Sequence, residues 1–365
     1  MKPKANIVDL PVYQPGKPIE QVKREFGLSE VIKLASNENP YGCSPHAKEA
    51  IVAELSNLSM YPDGSASELS EELASFMGVK KEQIIFGCGS DEIIALITRA
   101  YLEPGDETIM ADQTFSVYKS NADIEKAVSI EVPLADGTHD LDAMLNAVTD
   151  RTKIVWICNP NNPTGTIISE NELLRFMESV PKHVMVVLDE AYSEFVLDPT
   201  YPKSLKLLDQ YHNLVILRTF SKIYGLAALR IGYGIGQADV IQMINQVREP
   251  FNTGRPAQAA AKAALRDQKF VDDCRQRNAK GIMYLQKEFD RMGLRYFPAH
   301  GNFIMVDVLT SGQDVFQSLL SKGIIVRPGF ARYPSYIRVS VGTPEQNKML
   351  IHVLEQVLRD VKSTV

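Results

Sequence analysis

The sequence has few of the features that mark a disulfide-bonded, metal-binding or membrane protein. Its 365 residues include only 4 cysteines and 6 histidines. No two cysteines form a C-x-x-C pair, so neither a disulfide framework nor a zinc knuckle is indicated. No 18 apolar residues run together, and the first residues lack the apolar run of a signal peptide. We therefore expect a cytoplasmic protein without a metal site.

An excess of positive charge and several catalytic motifs are also missing. The 39 Lys and Arg residues against 45 Asp and Glu residues give a net charge of −6. This balance argues against a protein that binds nucleic acid or an anionic membrane. The chain has no G-x-S-x-G turn for a hydrolase nucleophile, no H-E-x-x-H pair for zinc and no G-x-G-x-x-G loop for a dinucleotide.

What the sequence does contain is an alternation of short apolar runs with helical patterns. The runs are rich in Ile, Val and Leu, as in strands covered on both faces. They fall at 84–86, 108–111, 129–132, 154–158, 184–188, 214–217 and 231–235. The alternation predicts an α/β fold, a three-layer sandwich in which helices cover both faces of a mostly parallel sheet.

The pattern changes after residue 250, where helices and strands no longer alternate. Helices are predicted at 257–266, 270–292, 313–320 and 344–361, and strands at 303–308, 324–326 and 336–341. Such a mixture predicts a smaller α+β C-terminal domain. We therefore divide the chain into an N-terminal arm (1–40), a large domain (41–250) and a small domain (251–365).

Four polar segments directly follow predicted strands, at the edge where parallel α/β sheets bind ligands. They are GCGSDE at 87–92, NPNNPTG at 159–165, DEAY at 189–192 and RTFSKIYG at 218–225. The first opens a helix, so it could bind an anion or be an ordinary turn. The second is a rigid loop whose amides could face a ligand or could only shape the turn.

Two charged residues in these segments stand out. Asp189 ends a buried strand, where a carboxylate needs a positive partner: a metal, an arginine or a protonated ring nitrogen. Alternatively, Asp189 could cap the next segment. Lys222 lies near a strand end and could react as a free amine, although a solitary lysine is usually a surface charge. Thr219, Ser221 and Arg230 could together neutralise a phosphate.

These motifs together resemble those of the fold-type I aminotransferases, which use pyridoxal 5′-phosphate. The matching segments are NPTG at 162–165, DEAY at 189–192 and SKxxGLAxLRxG at 221–232. Within this family the chain is most similar to the histidinol-phosphate aminotransferases, through PVYQPG at 11–16, LASNENPYG at 34–42, YPD at 61–63 and IRVSVGT at 337–343. The resemblance implies amino-group exchange between L-histidinol phosphate and 2-oxoglutarate, giving imidazole acetol phosphate and L-glutamate in histidine biosynthesis.

The resemblance also implies a role for each cofactor-site residue. Lys222 would hold the cofactor covalently and move a proton, and Asp189 would pair with the ring nitrogen. Phe115 would stack on the ring, while Tyr192 and Asn162 would bind the ring hydroxyl. The residues implied around the phosphate are Ser90, Asp91, Thr219, Ser221 and Arg230, together with Tyr61 from the second subunit of a homodimer.

The implied substrate site is built from arginines. Arg338 would grip the substrate's phosphate with Arg327 as a second donor, and Tyr13 and Asn37 would line the pocket. Arg327 could equally be a surface arginine, and Arg332 in the same loop has no assigned role. An aromatic or broad-range aminotransferase and a threonine-phosphate decarboxylase share these motifs and stay open as alternatives.

Overall fold

The structure is a computed structural model that describes residues 1–363 except 9, 11 and 13–15. The described residues include eleven strands and twelve α-helices. The strands are β1 (Ile32–Lys33), β2 (Ile84–Gly87), β3 (Glu107–Ala111), β4 (Val128–Val132), β5 (Thr152–Cys158), β6 (Met185–Asp189), β7 (Leu214–Thr219), β8 (Gly232–Ile235), β9 (Phe303–Asp307), β10 (Ile324–Ile325) and β11 (Tyr336–Ser340). The helices are α1 (Ile19–Phe26), α2 (Pro45–Glu54), α3 (Ser67–Met77), α4 (Ser90–Tyr101), α5 (Val117–Ile124), α6 (Leu141–Asn146), α7 (Glu170–Ser179), α8 (Ala238–Gln246), α9 (Arg255–Arg266), α10 (Gln268–Met292), α11 (Gly312–Ser321) and α12 (Pro344–Ser363).

A seven-stranded sheet with the strand order β2-β8-β7-β6-β5-β3-β4 forms the centre of the large domain. Its strands are parallel apart from β8, which runs antiparallel to both β2 and β7. Each of the seven runs predicted before residue 250 forms one strand of this sheet. The predicted mostly parallel sheet is therefore confirmed.

The apolar runs are continuous because each central strand contributes side chains to two hydrophobic cores, one on each face of the sheet. In β5, Val155 and Ile157 pack into the core on one face of the sheet, and Ile154 and Trp156 pack into the core on the other. Successive side chains of a strand point to opposite faces, so every position of such a strand must be apolar. Helices cover both faces and complete the predicted three-layer sandwich.

The C-terminal part forms a smaller α+β domain with a core of its own. Strands β9 and β11 pair antiparallel, and the core contains Ile304, Val339 and Leu354. The end of the N-terminal arm joins this domain, because β1 pairs with β10 and Leu34 lies in the same core. Helix α9 instead contributes small residues such as Ala260 to the large core. The boundaries at residues 40 and 250 stay predictions, since both cores draw on residues from across them.

Membrane-spanning helices and metal-binding clusters are both absent from the described residues. Among them, no helix has both the length and the apolar composition needed to cross a bilayer. The same residues include no group of three or more His, Cys, Asp or Glu side chains that could hold a metal ion.

A buried ion pair lies beside the carboxyl edge of the sheet. The Arg218 guanidinium donates to Oε2 of Glu190 from Nε at 3.0 Å and from Nη2 at 2.7 Å. The Glu190 side chain is fully buried. Burial acts to lower the pKa of Arg218, but the neighbouring Glu190 carboxylate more than offsets this and raises it. The arginine therefore stays charged and ties β7 to the segment that follows β6.

Replacing Arg218 with methionine should destabilise the protein by about 3–5 kcal/mol, because it leaves the Glu190 carboxylate buried without its partner. The free energy of unfolding in urea measures this loss. The double replacement Arg218→Met with Glu190→Leu removes both charges and should recover most of the lost stability. A single Arg218→Met variant as stable as the wild type would contradict this account of the ion pair.

Candidate active site

A cavity of about 410 Å³ lies at the carboxyl edge of the large sheet, where the two domains meet. It is lined by ten of the eleven residues predicted for the cofactor site: Ser90, Asp91, Phe115, Asn162, Asp189, Tyr192, Thr219, Ser221, Lys222 and Arg230. Three of the four predicted substrate residues also line it: Asn37, Arg327 and Arg338. The fold therefore brings together segments that are far apart in the sequence.

Lys222 reaches the cavity from a tight turn after β7. The turn is closed by a hydrogen bond from the Gly225 backbone N–H to the Lys222 carbonyl oxygen at 3.0 Å. Gly225 has a positive φ of 71°, and a Cβ there would collide with the backbone of Gly42, so the turn requires glycine. Burial, and then the positive charges of Arg338 and Arg230, lower the pKa of Lys222 to about 8. A substantial fraction of this amine is therefore neutral near physiological pH.

Asp189 presents a buried carboxylate at the end of β6. Its Oδ2 accepts a hydrogen bond from the Tyr118 hydroxyl at 2.6 Å, and its Oδ1 accepts one from the Ala191 backbone N–H at 3.2 Å. Burial raises the pKa of Asp189 to about 6 despite these two donors. The nearby arginine, Arg218, pairs with Glu190 instead. Within the described residues, Asp189 thus has hydrogen-bond donors but no cationic partner.

The other end of the cavity has the donors of an anion site. Helix α4 begins at Ser90, so its unpaired backbone N–H groups lie at the cavity wall. The Arg230 guanidinium lies 3.2 Å from Ser221 Oγ and 3.3 Å from Asp91 Oδ2. Gly89 precedes this helix with a positive φ of 79°, a backbone conformation that favours glycine, and the guanidinium packs against it. These donors suit a phosphate group.

Tyr192 connects the large domain to the N-terminal arm. Its hydroxyl oxygen accepts hydrogen bonds from Asn37 Nδ2 at 3.0 Å and from Asn162 Nδ2 at 3.4 Å. Burial raises the pKa of Tyr192, so the phenol keeps its proton at neutral pH. Because both neighbours donate to the oxygen, the phenol proton is available for a ligand.

The three predicted arginines of the small domain have different surroundings. Arg338 is mostly buried on β11 and donates to the Ala35 carbonyl oxygen at 2.7 Å and to Asn162 Oδ1. The backbone of Arg327 forms an antiparallel β-bridge with that of Arg338, and Arg327 also lines the cavity. Arg332 does not line it: its Nε lies 2.6 Å from Asp112 Oδ2. The structure thus shows a partner for the one arginine that had no predicted role.

One predicted cofactor residue, Tyr61, does not line the described cavity. Tyr61 is 78% exposed and stacks on Phe251 with a ring-centroid distance of 4.7 Å. Its contact with a cofactor in a second subunit stays a prediction. Tyr13 lies outside the described residues. Sequence reasoning missed Tyr118, which lies in the first turn of α5 and whose backbone N–H donates to the Phe115 carbonyl oxygen at 3.3 Å.

The residues present fit the cofactor expected from the sequence. Pyridoxal 5′-phosphate carries a ring nitrogen that can be cationic, a hydroxyl, an aldehyde and a phosphate. The cavity offers a carboxylate without a cationic partner among the described residues, a protonated phenol, an amine of lowered pKa and an anion site. Each functional group of the cofactor therefore has a chemically matching group in one cavity.

Comparison with known proteins identifies relatives over the full chain. Residues 29–354 match the family described as aminotransferase class I and II. A histidinol-phosphate aminotransferase from Brevibacillus brevis is 56% identical over 98% of this chain and 99% of its own length. One from a Geobacillus species is 54% identical over 99% of both chains. The structure of a histidinol-phosphate aminotransferase from Sinorhizobium meliloti, in complex with pyridoxal-5′-phosphate, matches with a TM-score of 0.91 at 28% identity, covering 98% of this chain and 97% of that one.

Proposed function

The chain belongs to the class I and II aminotransferase family, and we propose that it exchanges an amino group between L-histidinol phosphate and 2-oxoglutarate. The products are imidazole acetol phosphate and L-glutamate, and the reaction serves histidine biosynthesis. The observation that carries this proposal is the full-length identity of 56% to a histidinol-phosphate aminotransferase, in a chain whose cavity contains Lys222, Asp189 and Arg338.

Pyridoxal 5′-phosphate is the cofactor that we propose for this cavity. When bound, it would supply an electron-withdrawing ring and an aldehyde carbon that carries the amino group between the two half-reactions. Its phosphate would be held by the α4 N-terminus at Ser90 and Asp91 and by the side chains of Thr219, Ser221 and Arg230. Phe115 would lie against the ring, and Tyr192 and Asn162 would bind the ring hydroxyl.

Lys222 has two proposed tasks, and both need its neutral form. Its Nζ would hold the cofactor covalently and, once the substrate amine has displaced it, would take the proton from the reacting carbon of the substrate. The pKa of Lys222, lowered to about 8 chiefly by burial, favours this neutral form compared with an ordinary lysine. Asp189 would complement this by holding a positive charge on the ring nitrogen, because its carboxylate is ionised above about pH 6.

Arg338 and Arg327 would bind the anionic end of each substrate. Both line the cavity, and a guanidinium can hold either the phosphate of histidinol phosphate or a carboxylate of glutamate. Asn37 would line the same pocket, with Tyr13 added from the arm. We also propose a homodimer in which Tyr61 completes the phosphate site of the neighbouring subunit, which would account for the exposure of this aromatic ring.

Substrate profiling of the purified holoenzyme tests this function. We expect kcat/KM for histidinol phosphate to exceed that for phenylalanine, and threonine phosphate not to be decarboxylated. Arg338→Gln should lower kcat/KM for histidinol phosphate by about 10- to 100-fold, the range for losing a hydrogen bond to a charged group. Arg291→Gln, which removes an exposed arginine paired with Glu288 and Glu355, is the matched control.

Two outcomes would contradict the proposed substrate. One is a higher kcat/KM for phenylalanine than for histidinol phosphate, which would favour an aromatic aminotransferase. The other is carbon dioxide release from threonine phosphate, which would favour the decarboxylase. If Arg338→Gln and Arg291→Gln lowered kcat/KM for histidinol phosphate equally, Arg338 would not be a substrate-binding residue.

A further inference from the structure

We propose that Tyr118 is a positioning residue for the transamination: its hydroxyl holds the Asp189 carboxylate in place and in its charged form for the cofactor ring nitrogen. This inference rests on the proposed function, because it concerns how the cofactor partner Asp189 is controlled. Tyr118 itself does not line the described cavity, so it would act through Asp189.

The geometry of the hydrogen bond supports this role. The Tyr118 hydroxyl lies 2.6 Å from Oδ2 of Asp189, a length typical of an O–H donor to a carboxylate. The phenol carries the only proton of this pair when the carboxyl is ionised, so Tyr118 donates and Asp189 accepts. Tyr118 is fully buried, which keeps water from competing for either partner.

The Tyr118 ring is fixed on both sides, so the position of its hydroxyl is determined. It stacks on Trp156 with a centroid distance of 4.9 Å and an interplanar angle of 9°. The Trp156 indole N–H donates to Thr108 Oγ1 at 2.7 Å, which anchors it to β3. The Phe115 ring meets Tyr118 edge-on at 5.6 Å. Tyr118 therefore also supports the residue proposed to contact the cofactor ring.

The groups that face Asp189 explain why a donor is needed there. Burial is the largest effect on this carboxyl and raises its pKa, and the charges of Asp91 and Glu190 act in the same direction. The Tyr118 hydroxyl and the Ala191 backbone N–H oppose this rise. The nearby Cys158 thiol has its pKa raised to about 12 by burial, so it contributes no charge at neutral pH. Tyr118 is thus the main side-chain group that favours the carboxylate form.

The phenol proton also stays on Tyr118 throughout the useful pH range. Burial and then the charge of Asp189 raise the pKa of Tyr118 well above 10. Replacement by phenylalanine removes only the hydroxyl and keeps the stacking on Trp156. Tyr118→Phe therefore separates the hydrogen bond from the packing.

The test is a titration of Asp189 in the full-length apoprotein, followed by ¹³C NMR of aspartate side-chain carboxyls. Tyr118→Phe should raise the Asp189 midpoint by about one pH unit. Tyr118→3-fluorotyrosine, whose hydroxyl is a stronger donor, should lower it. Tyr296→Phe is the matched control, because it removes a tyrosine–aspartate hydrogen bond of 3.0 Å, to Asp290, and neither residue lines the cavity. It should leave the Asp189 midpoint unchanged.

The holoenzyme provides a second measurement. Tyr118→Phe should bind pyridoxal 5′-phosphate about 10-fold more weakly and lower kcat by a similar factor, with KM for histidinol phosphate unchanged. Equal Asp189 midpoints and equal cofactor affinities in wild type, Tyr118→Phe and Tyr118→3-fluorotyrosine would overturn the proposal. Failure of wild type to use histidinol phosphate would instead overturn the proposed function, since the Asp189 titration needs no substrate.

Discussion

Replacing Lys222 with alanine should reduce kcat by about 10⁴-fold or more and leave the fold intact. The variant loses both the covalent attachment of the cofactor and the base that moves the proton, and a positioned base alone contributes about 10²–10⁴-fold. Lys222 is the only lysine lining the described cavity, and the arginines there are too basic to replace it. The measurement is kcat with histidinol phosphate and 2-oxoglutarate, together with the visible spectrum of the cofactor-loaded protein.

The matched control for this prediction is Lys269→Ala, which removes an exposed lysine paired with Asp273. It should keep wild-type kcat and the wild-type visible spectrum. Circular dichroism should show the same secondary structure in both variants and in the wild type. Undiminished transamination by Lys222→Ala would end the proposed role of this residue.

Replacing Asp189 with asparagine should lower kcat by about 10²–10³-fold and weaken cofactor binding. An ion pair of ~4 Å at an effective dielectric constant of ~20 contributes about 4 kcal/mol before desolvation, and asparagine cannot form it. The shape of the side chain is retained, so the loss reports on charge. Cofactor affinity by equilibrium titration and kcat by steady-state kinetics measure the two effects. A variant with wild-type kcat would show that the ring nitrogen needs no carboxylate partner.

The raised pKa of Asp189 should also make the stability of the apoprotein depend on pH. The folded-state pKa of Asp189, about 6, lies above the ordinary value of 3.8, so the folded protein binds this proton more tightly than the unfolded chain. The contribution to stability is therefore present below pH 4 and is lost as the pH rises through 6. The loss amounts to about 2–3 kcal/mol between pH 4 and pH 7.

Asparagine does not titrate, so Asp189→Asn should lack this part of the pH dependence. Urea unfolding of both apoproteins at pH 4.5 and pH 7.5 measures the difference between them. We expect the variant to gain stability relative to wild type as the pH rises, although it loses activity. A constant stability difference between the two proteins across this range would contradict the raised pKa.

The sheet and the strand-end segments could be predicted from the sequence because they depend on local pattern. Continuous apolar runs predict strands buried on both faces, and in a parallel sheet the residues that follow them meet at one edge. The direction of β8 could not be predicted, because a run of apolar residues is the same in either orientation. Helix α10 begins at Gln268, two residues earlier than predicted, because the Asp267 side chain accepts from the Phe270 backbone N–H and caps the helix.

The side-chain partners within the site were harder to predict than its location. Tyr118 and Asp189 are 71 residues apart, and Asn37 and Tyr192 are 155 apart. Neither pair has a sequence pattern that links its members, since each contact depends on how whole elements pack. The same holds for Arg332 and Asp112, which form an ion pair although they are far apart in the sequence. Residue type and strand position therefore predicted the cavity lining but not the groups that support it.

One mass measurement tests the covalent role of Lys222 most directly. Borohydride makes the bond between a lysine amine and pyridoxal 5′-phosphate permanent, so the holoenzyme can be reduced, digested and analysed by mass spectrometry. We expect one added cofactor per chain, located on the peptide that contains Lys222. A cofactor found on any other lysine, or a chain that carries none after reduction, would contradict it.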